Sequence, residues 1–245
     1  DRLDISLDVI AAVLASSELE GWQGFGVVVQ AFSKRAPWVL DWLYALAKGL
    51  DRQIMVRLVK GAYCDAEIKC AQVMGLTGFP VFTRKANTDL SYLACAKQLL
   101  AMNDRIYAQF ATHNAHSVAA ILQLAANDAD GQSSSYAYEF QRLHGMGESL
   151  HASVMAQGNV RCRIYAPVGA HQDLLAYLVR RLLENGANSS FVHQLVNPEI
   201  TPETIAQDPV NLVLSRLEQG LSCGSHAIVQ PKDLFASAGE RYRKN

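Results

Sequence analysis

The chain has 245 residues, a formal net charge of −1 and half of its residues hydrophobic. That is enough apolar material for a large core, and α/β barrels of this length often form one domain. The balanced charge argues against a nucleic-acid stripe or a polybasic membrane patch. No apolar run is long enough to span a bilayer, and the N-terminus does not read as a signal peptide. Cys64, Cys70, Cys95, Cys162 and Cys223 are odd in number and include no C-x-x-C pair. They read as reduced thiols of a cytosolic protein, and neither a structural zinc nor any other metal is expected.

Strand-like and helix-like segments alternate along the chain. Phe25 to Ala31 is a short apolar strand, and 38–50 has helical periodicity ending near a glycine. Ile54 to Val59 is a second strand. A helix over 89–102 places Leu90, Leu93, Ala94, Ala96 and Leu99 on its apolar positions. Ile106 to Ala111 is a third strand and 117–126 a helix. Tyr138 to Leu143 and Arg161 to Tyr165 are the fourth and fifth strands, and a helix over 171–185 follows. This order predicts parallel βαβ units. Between them, 127–135 reads as a polar, mobile surface loop. After Val196 the pattern weakens, with Pro198, Pro202, Pro209 and Pro231 as punctuation and one helical stretch over 210–219. The domain reading is therefore 1–195 as the barrel part and 196–245 as an extension or linker.

Gln30, Arg57 and Gln141 interrupt otherwise apolar strands. That suits a barrel with a chemically lined mouth better than an open doubly wound sheet. Polar clusters recur at the C-terminal strand ends: Gln30 on the first; Arg57, Lys60, Tyr63 and Asp65 on the second; Thr112, His113 and Asn114 on the third; Gln141 and His144 on the fourth; Tyr165 on the fifth. Active sites of βα-barrels lie at that end. Taken singly, each residue has a plainer reading. Arg57 could belong to a buried ion pair, Lys60 to an ordinary turn, and His113 and His144 could be satisfied histidines. No Ser-His-Asp constellation, H-E-x-x-H or Walker loop stands out. The set offers many donors and few nucleophiles, which suits an acceptor-rich cofactor such as a flavin. Arg57 could polarise the N5 side of its ring, while Arg84, Lys85 and the His113 neighbourhood could meet phosphates or ribose.

The helix over 171–185 is the most informative element. Tyr177 lies i,i+3 and i,i+4 from Arg180 and Arg181, so the three share one end of its surface. Two guanidinium groups on an otherwise apolar helix call for an anion, and a small carboxylate held bidentately is the natural one. The plain alternative is a solvated arginine pair.

The runs Arg57-Leu-Val-Lys-Gly-Ala-Tyr63, Phe110-Ala-Thr-His-Asn114, Tyr138-Glu-Phe-Gln-Arg-Leu-His-Gly-Met-Gly-Glu148, Cys162-Arg-Ile-Tyr-Ala-Pro-Val-Gly169 and Arg180-Arg-Leu-Leu-Glu-Asn-Gly-Ala-Asn-Ser-Ser-Phe191 closely resemble the proline dehydrogenase domain of bacterial proline utilization A. The resemblance covers nearly all of 1–195 in order. It implies a TIM-type (βα)8 barrel that binds FAD, oxidises L-proline to Δ1-pyrroline-5-carboxylate and passes electrons to quinone. It assigns Arg180 and Arg181 to the proline carboxylate, Tyr165 to the proline ring and Tyr177 to the border of that pocket. Arg57 would lie near flavin N5, and Gln30 near the isoalloxazine edge. Lys60, Gly61 and Ala62 would line the flavin, with Tyr63 toward the substrate. Thr83, Arg84, Lys85, Thr112, His113 and Asn114 would serve the ribityl, pyrophosphate and adenosine parts. Gln141 and Leu143 would lie near flavin and substrate, and Glu184 and Phe191 at the adenosine end.

Two departures follow from the same resemblance. Cys64 stands where the family commonly has tryptophan, which makes that wall of the flavin pocket smaller. An acidic Asp-Ala-Glu-Glu-Ser run just before the point matching Asp1, a catalytic lysine and about the first three barrel strands have no counterpart here. Nor does the aldehyde dehydrogenase domain of the bifunctional proteins. Five βα units cannot close an eight-stranded barrel unaided, so exposed edge strands and an inactive isolated chain are expected. In the parent, the resemblance implies a cytoplasmic homo-oligomer with room for peripheral inner-membrane contact. Two other readings stand beside it: a metal-dependent barrel hydrolase using His113, His144 and a carboxylate, and an inactive fragment that only contacts partner chains.

Overall fold

The computed structural model describes residues 3–127, 137–158, 160–186 and 197–234, without the side chains of 127, 180, 182–186 and 202. The expected loop over 127–135 lies outside them, apart from the backbone of its first residue. Five parallel strands pair in sequence order: β1 (Gly26–Gln30), β2 (Ile54–Val59), β3 (Ile106–Ala111), β4 (Tyr138–Leu143) and β5 (Arg161–Tyr165). The helices are α1 (Leu3–Leu14), α2 (Ala36–Gly49), α3 (Cys64–Val73), α4 (Lys85–Ala101), α5 (Ala115–Asn127), α6 (Glu148–Gln157) and α7 (His171–Gly186), then α8 (Pro202–Ile205) and α9 (Pro209–Glu218). β2 to β5 keep the bounds expected from their sequence. The expectation of βαβ units holds, but α1, α3, α6 and α8 were not anticipated.

The strands form because β-branched and aromatic residues alternate, and alternation separates two faces. On β2, Ile54, Val56 and Leu58 are fully buried against the helices, while Met55, Arg57 and Val59 turn to the other face. Phe110 and Phe140 join them, with ring centroids 6.2 Å apart and Tyr138 edge-on to both. Each such buried side chain contributes about 1.5–3 kcal/mol of apolar transfer free energy. Leu40 and Leu43 of α2 and Leu99 and Leu100 of α4 close the same core. α2 starts with Pro37 in its first turn, where the missing N–H costs nothing.

A smaller cluster of Phe32, Ile68, Ala71, Phe79 and Val81 sits under the loop after β2. Gly61, at φ +113°, belongs to its wall, and a Cβ there would lie 1.8 Å from Phe32 Cδ1. Gly61→Ala is expected to destabilise the protein by about 1–3 kcal/mol or more through overpacking and left-handed strain. Gly75→Ala, also at positive φ but with nothing within 4 Å of the new Cβ, isolates the backbone part. Equal urea midpoints for the two variants would contradict the Phe32 clash.

Residues 197–234 return across the outer helices, with α9 resting on α4. Asn87 Nδ2 donates to Cys223 O at 2.9 Å, and Gln72 Nε2 to Val229 O at 2.8 Å. The five cysteines are free thiols. Among the described residues, no helix is long and apolar enough to cross a membrane.

Candidate active site

The sheet's inner face gathers the polar strand ends. A cavity of about 360 Å³ opens there, lined by Val28 and Gln30 of β1, Arg57 and Val59 of β2, Gly61, Ala62, Ala111, His113, Leu143, Tyr165, and Tyr177 and Arg181 of α7. Nine of the residues expected at the site are thereby brought together. The lining holds two guanidinium groups and no carboxylate, so an anionic or acceptor-rich occupant is favoured.

Arg57 is held from two sides. Its Nε donates to Gln141 Oε1 at 2.7 Å, and its guanidinium carbon lies 4.5 Å from the Tyr165 ring centroid. Arg181 lies 5.3 Å from the Tyr177 ring centroid. Both are cation–π contacts, which draw their energy from the negative ring face. Burial raises the Tyr165 phenol above its ordinary range, against the lowering effect of Arg57, so it stays neutral and available as a donor.

His113 Nε2 accepts from Leu143 N at 3.0 Å, which makes that nitrogen an acceptor. Burial first, then the charges of His151, Arg181, Arg142 and Arg57, push His113 down to about 4. Its neighbour His151, fully buried, bonds Thr112 O at 3.0 Å and is also lowered, mainly by burial. Folded histidine therefore binds fewer protons than unfolded histidine between pH 6.5 and 4. Stability is fully present above that window and falls as pH drops through it. Urea midpoints should decline across it, and His113→Gln should flatten the decline. Asp89 and Glu139, whose carboxyls are held low, add their own losses from the lower end of this window downward.

Several expected residues stand apart from the cavity. Lys60 pairs with Asp89 of α4 at 2.5 Å, and Lys85 pairs with the same carboxylate at 2.6 Å. Burial lowers the Lys60 ammonium, with Asp89 opposing. These residues and Asn114 line a second recess of about 260 Å³ beside α8 and α9. Asn114 Oδ1 accepts from Ser117 N at 2.9 Å, and Thr112 Oγ1 accepts from Asn114 N at 3.1 Å. Thr83 Oγ1 accepts from Ser225 N at 2.9 Å. Arg84 occupies the N-cap position of α4. Tyr63, exposed and at φ +71°, is the N-cap of α3. Arg180 and Glu184 lie on α7 with side chains outside the described set, and Phe191 lies outside the described residues altogether. His144 is exposed, and among the described residues no three His, Cys, Asp or Glu side chains group as a metal site requires.

Sequence reasoning missed Glu139, which is 3% exposed. Its Oε1 accepts from Gln109 Nε2 at 2.9 Å, Gln141 Nε2 at 2.9 Å and Arg163 Nε at 2.7 Å. Its Oε2 accepts from Arg163 Nη2 at 3.0 Å and Tyr107 OH at 3.2 Å. A carboxylate two residues before Gln141 on the same strand was the available signal, since both must share a face.

Successive βα units converge on a cation-lined cavity at the strand C-termini, the end at which βα-barrels place their sites, and its lining suits a small, acceptor-rich ligand. The chain belongs to the proline dehydrogenase family, whose model matches residues 1–194. It is 53% identical to the bifunctional protein PutA of Klebsiella aerogenes over 97% of its own length and 18% of that protein's. Proline dehydrogenase 1 of Bacillus subtilis (strain 168) is 32% identical, over 70% of this chain and 48% of that one. A solved structure of Bradyrhizobium japonicum proline utilization A superposes with a TM-score of 0.86 at 53% identity, covering 96% of this chain and 23% of that one. The chain thus spans about a fifth of the length of these PutA relatives. Its five-stranded sheet is part of a TIM-type barrel, as expected.

Proposed function

We propose that this chain is the part of an FAD-dependent proline dehydrogenase that carries the proline carboxylate site and one side of the flavin site, converting L-proline to Δ1-pyrroline-5-carboxylate. The observation that carries this reading is the presence of Arg57 and Arg181 in one cavity lining, each against a tyrosine ring, Tyr165 and Tyr177 respectively, with no carboxylate in the lining. A relative from Bdellovibrio bacteriovorus, 33% identical over 93% of this chain, is described as inactivated by N-propargylglycine. That ligand is a small N-substituted amino acid, and its carboxylate suits such a cavity.

The donor set fits a flavin: the lining is cationic and includes Gln30, Gly61 and Ala62. Gln30, Arg57, Gly61, Ala62, His113, Gln141 and Leu143 would hold the ring and its ribityl side. Lys60 is assigned to the flavin lining as well, and Thr83, Arg84, Lys85, Thr112, Asn114, Glu184 and Phe191 to the rest of FAD. When bound, the flavin supplies the acceptor for the hydride leaving proline C5. Arg180 and Arg181 fix the carboxylate and so the direction in which C5 points, while Tyr165 packs on the ring. The C5–H bond would break with its electron pair leaving as hydride, the ring nitrogen would release its proton to solvent, and the C–N bond would become an imine. Tyr63 closes the substrate side.

Quinone as the final electron acceptor, homo-oligomer formation and cytoplasmic residence with peripheral membrane contact belong to the same proposal for the whole protein. So does the division into a barrel part over 1–195 and an extension over 196–245. The test is the visible spectrum of the purified protein: oxidised-flavin bands that L-proline bleaches anaerobically. A protein without such bands, or with bands that proline leaves unchanged, refutes the reading.

A further inference from the structure

Glu139 accepts five hydrogen bonds from four side chains on its two oxygens, and all of the donors are on the inner face of the sheet. Only an ionised carboxylate can accept from them all, because a neutral amide or acid would present a donor to at least one. This has a consequence for Gln141. An amide has one oxygen and one NH2, and which end faces which neighbour is set by its partners. Glu139 takes the NH2 of Gln141 at 2.9 Å, so the oxygen is turned to Arg57, whose Nε it meets at 2.7 Å. Were the amide reversed, its NH2 would face Arg57 donor against donor.

We propose that Glu139 is a positioning residue which, by fixing the Gln141 amide, sets the orientation of the Arg57 guanidinium over the Tyr165 ring. The proposal rests on the flavin site read above, since the orientation matters only if Arg57 serves a bound flavin. A simple ion pair with Arg163 does not account for the arrangement. Arg163 occupies both oxygens with its own fork, yet Gln109, Gln141 and Tyr107 converge on them too. Arg163 is itself 57% exposed, a setting where an isolated pair contributes little. The buried partner and the relay toward Arg57 are what distinguish this carboxylate.

The experiment is a double-mutant cycle in the flavin-loaded protein that carries this chain, comparing Glu139→Gln, Arg57→Met and the double variant. Flavin reduction potential and the anaerobic rate of flavin reduction by proline are the readouts, with thermal melting as a folding control. Glu139→Gln is expected to lower the potential and slow reduction by about tenfold or more, as for a lost charged hydrogen bond. Added to Arg57→Met, it is expected to change neither any further, because the relay then ends on nothing. Potential and rate equal to the parent's, or shifts that add fully to those of Arg57→Met, overturn the proposal. Should Glu139→Gln not fold, Arg163→Met loosens the same carboxylate from an exposed position and must show the same non-additivity; full additivity again overturns it. If flavin binds and proline is oxidised while the cycle is additive, this inference fails and the functional reading stands. A protein that binds no flavin overturns both.

Discussion

Arg57→Met is expected to slow flavin reduction by about a hundredfold or more, the order of cost for removing one aligned charged donor from a preorganised site. Proline affinity should change much less. On β2, alternation sends Ile54, Val56 and Leu58 into the core and leaves Arg57 on the inner face. There it is clamped by Gln141 Oε1 at 2.7 Å and by the Tyr165 ring. A guanidinium so constrained loses little entropy when negative charge develops beside it, and stabilises that charge at once. Methionine keeps much of the length and removes the charge, so the reduction potential should fall as well. Stopped-flow reduction and potentiometry check this. Unchanged potential and rate, with only a raised KM for proline, would refute the assignment of Arg57 to the flavin.

How far the fold was legible depends on the kind of signal. β2 and β3 were readable because each buries a full apolar register on the helix side, as Ile106, Ala108 and Phe110 do on β3, whereas β5 leaves Ile164 half exposed and was readable from the alternation of strand and helix segments. α3 and α6 were missed because each buries only two residues, Ile68 and Ala71 in one and His151 and Val154 in the other, so neither prints an apolar stripe. α1 carries Ile5, Val9 and Val13 exposed and only Leu14 buried, so its apolar periodicity does not map onto a core face.

The site was readable as a set and not as a geometry. The clustering of Gln30, Arg57, His113, Tyr165, Tyr177 and Arg181 at strand ends and on α7 foretold the cavity, because a parallel sheet places all C-terminal ends together. The partners were not readable. Lys60, just after β2, is drawn to Asp89 on α4, and Glu139 collects donors from β3 and β5 as well as its own strand. Both depend on the tertiary register, such as Gln109 opposite Glu139, which no local spacing encodes.

Arg181→Met and Arg180→Met should each raise the KM for proline by about tenfold or more, the equivalent of roughly 1.5–3 kcal/mol for a charged hydrogen bond. Arg181 stands in the cavity wall beside Tyr177, and Arg180 precedes it on the same helix. A carboxylate has two oxygens, and each guanidinium offers a planar fork of donors. Arg181→Lys should therefore also impair binding, since it keeps the charge and loses the fork. The discriminating ligand is pyrrolidine, which has the ring and lacks the carboxylate: its turnover should feel these substitutions far less than that of proline. Binding of a carboxylate-bearing proline analogue, measured by flavin difference spectra with FAD content checked, isolates the anion contact from the chemistry. If both methionine variants hold that analogue as tightly as the parent while retaining FAD, the arginines are a solvated pair, and the carboxylate must be met elsewhere in the cavity.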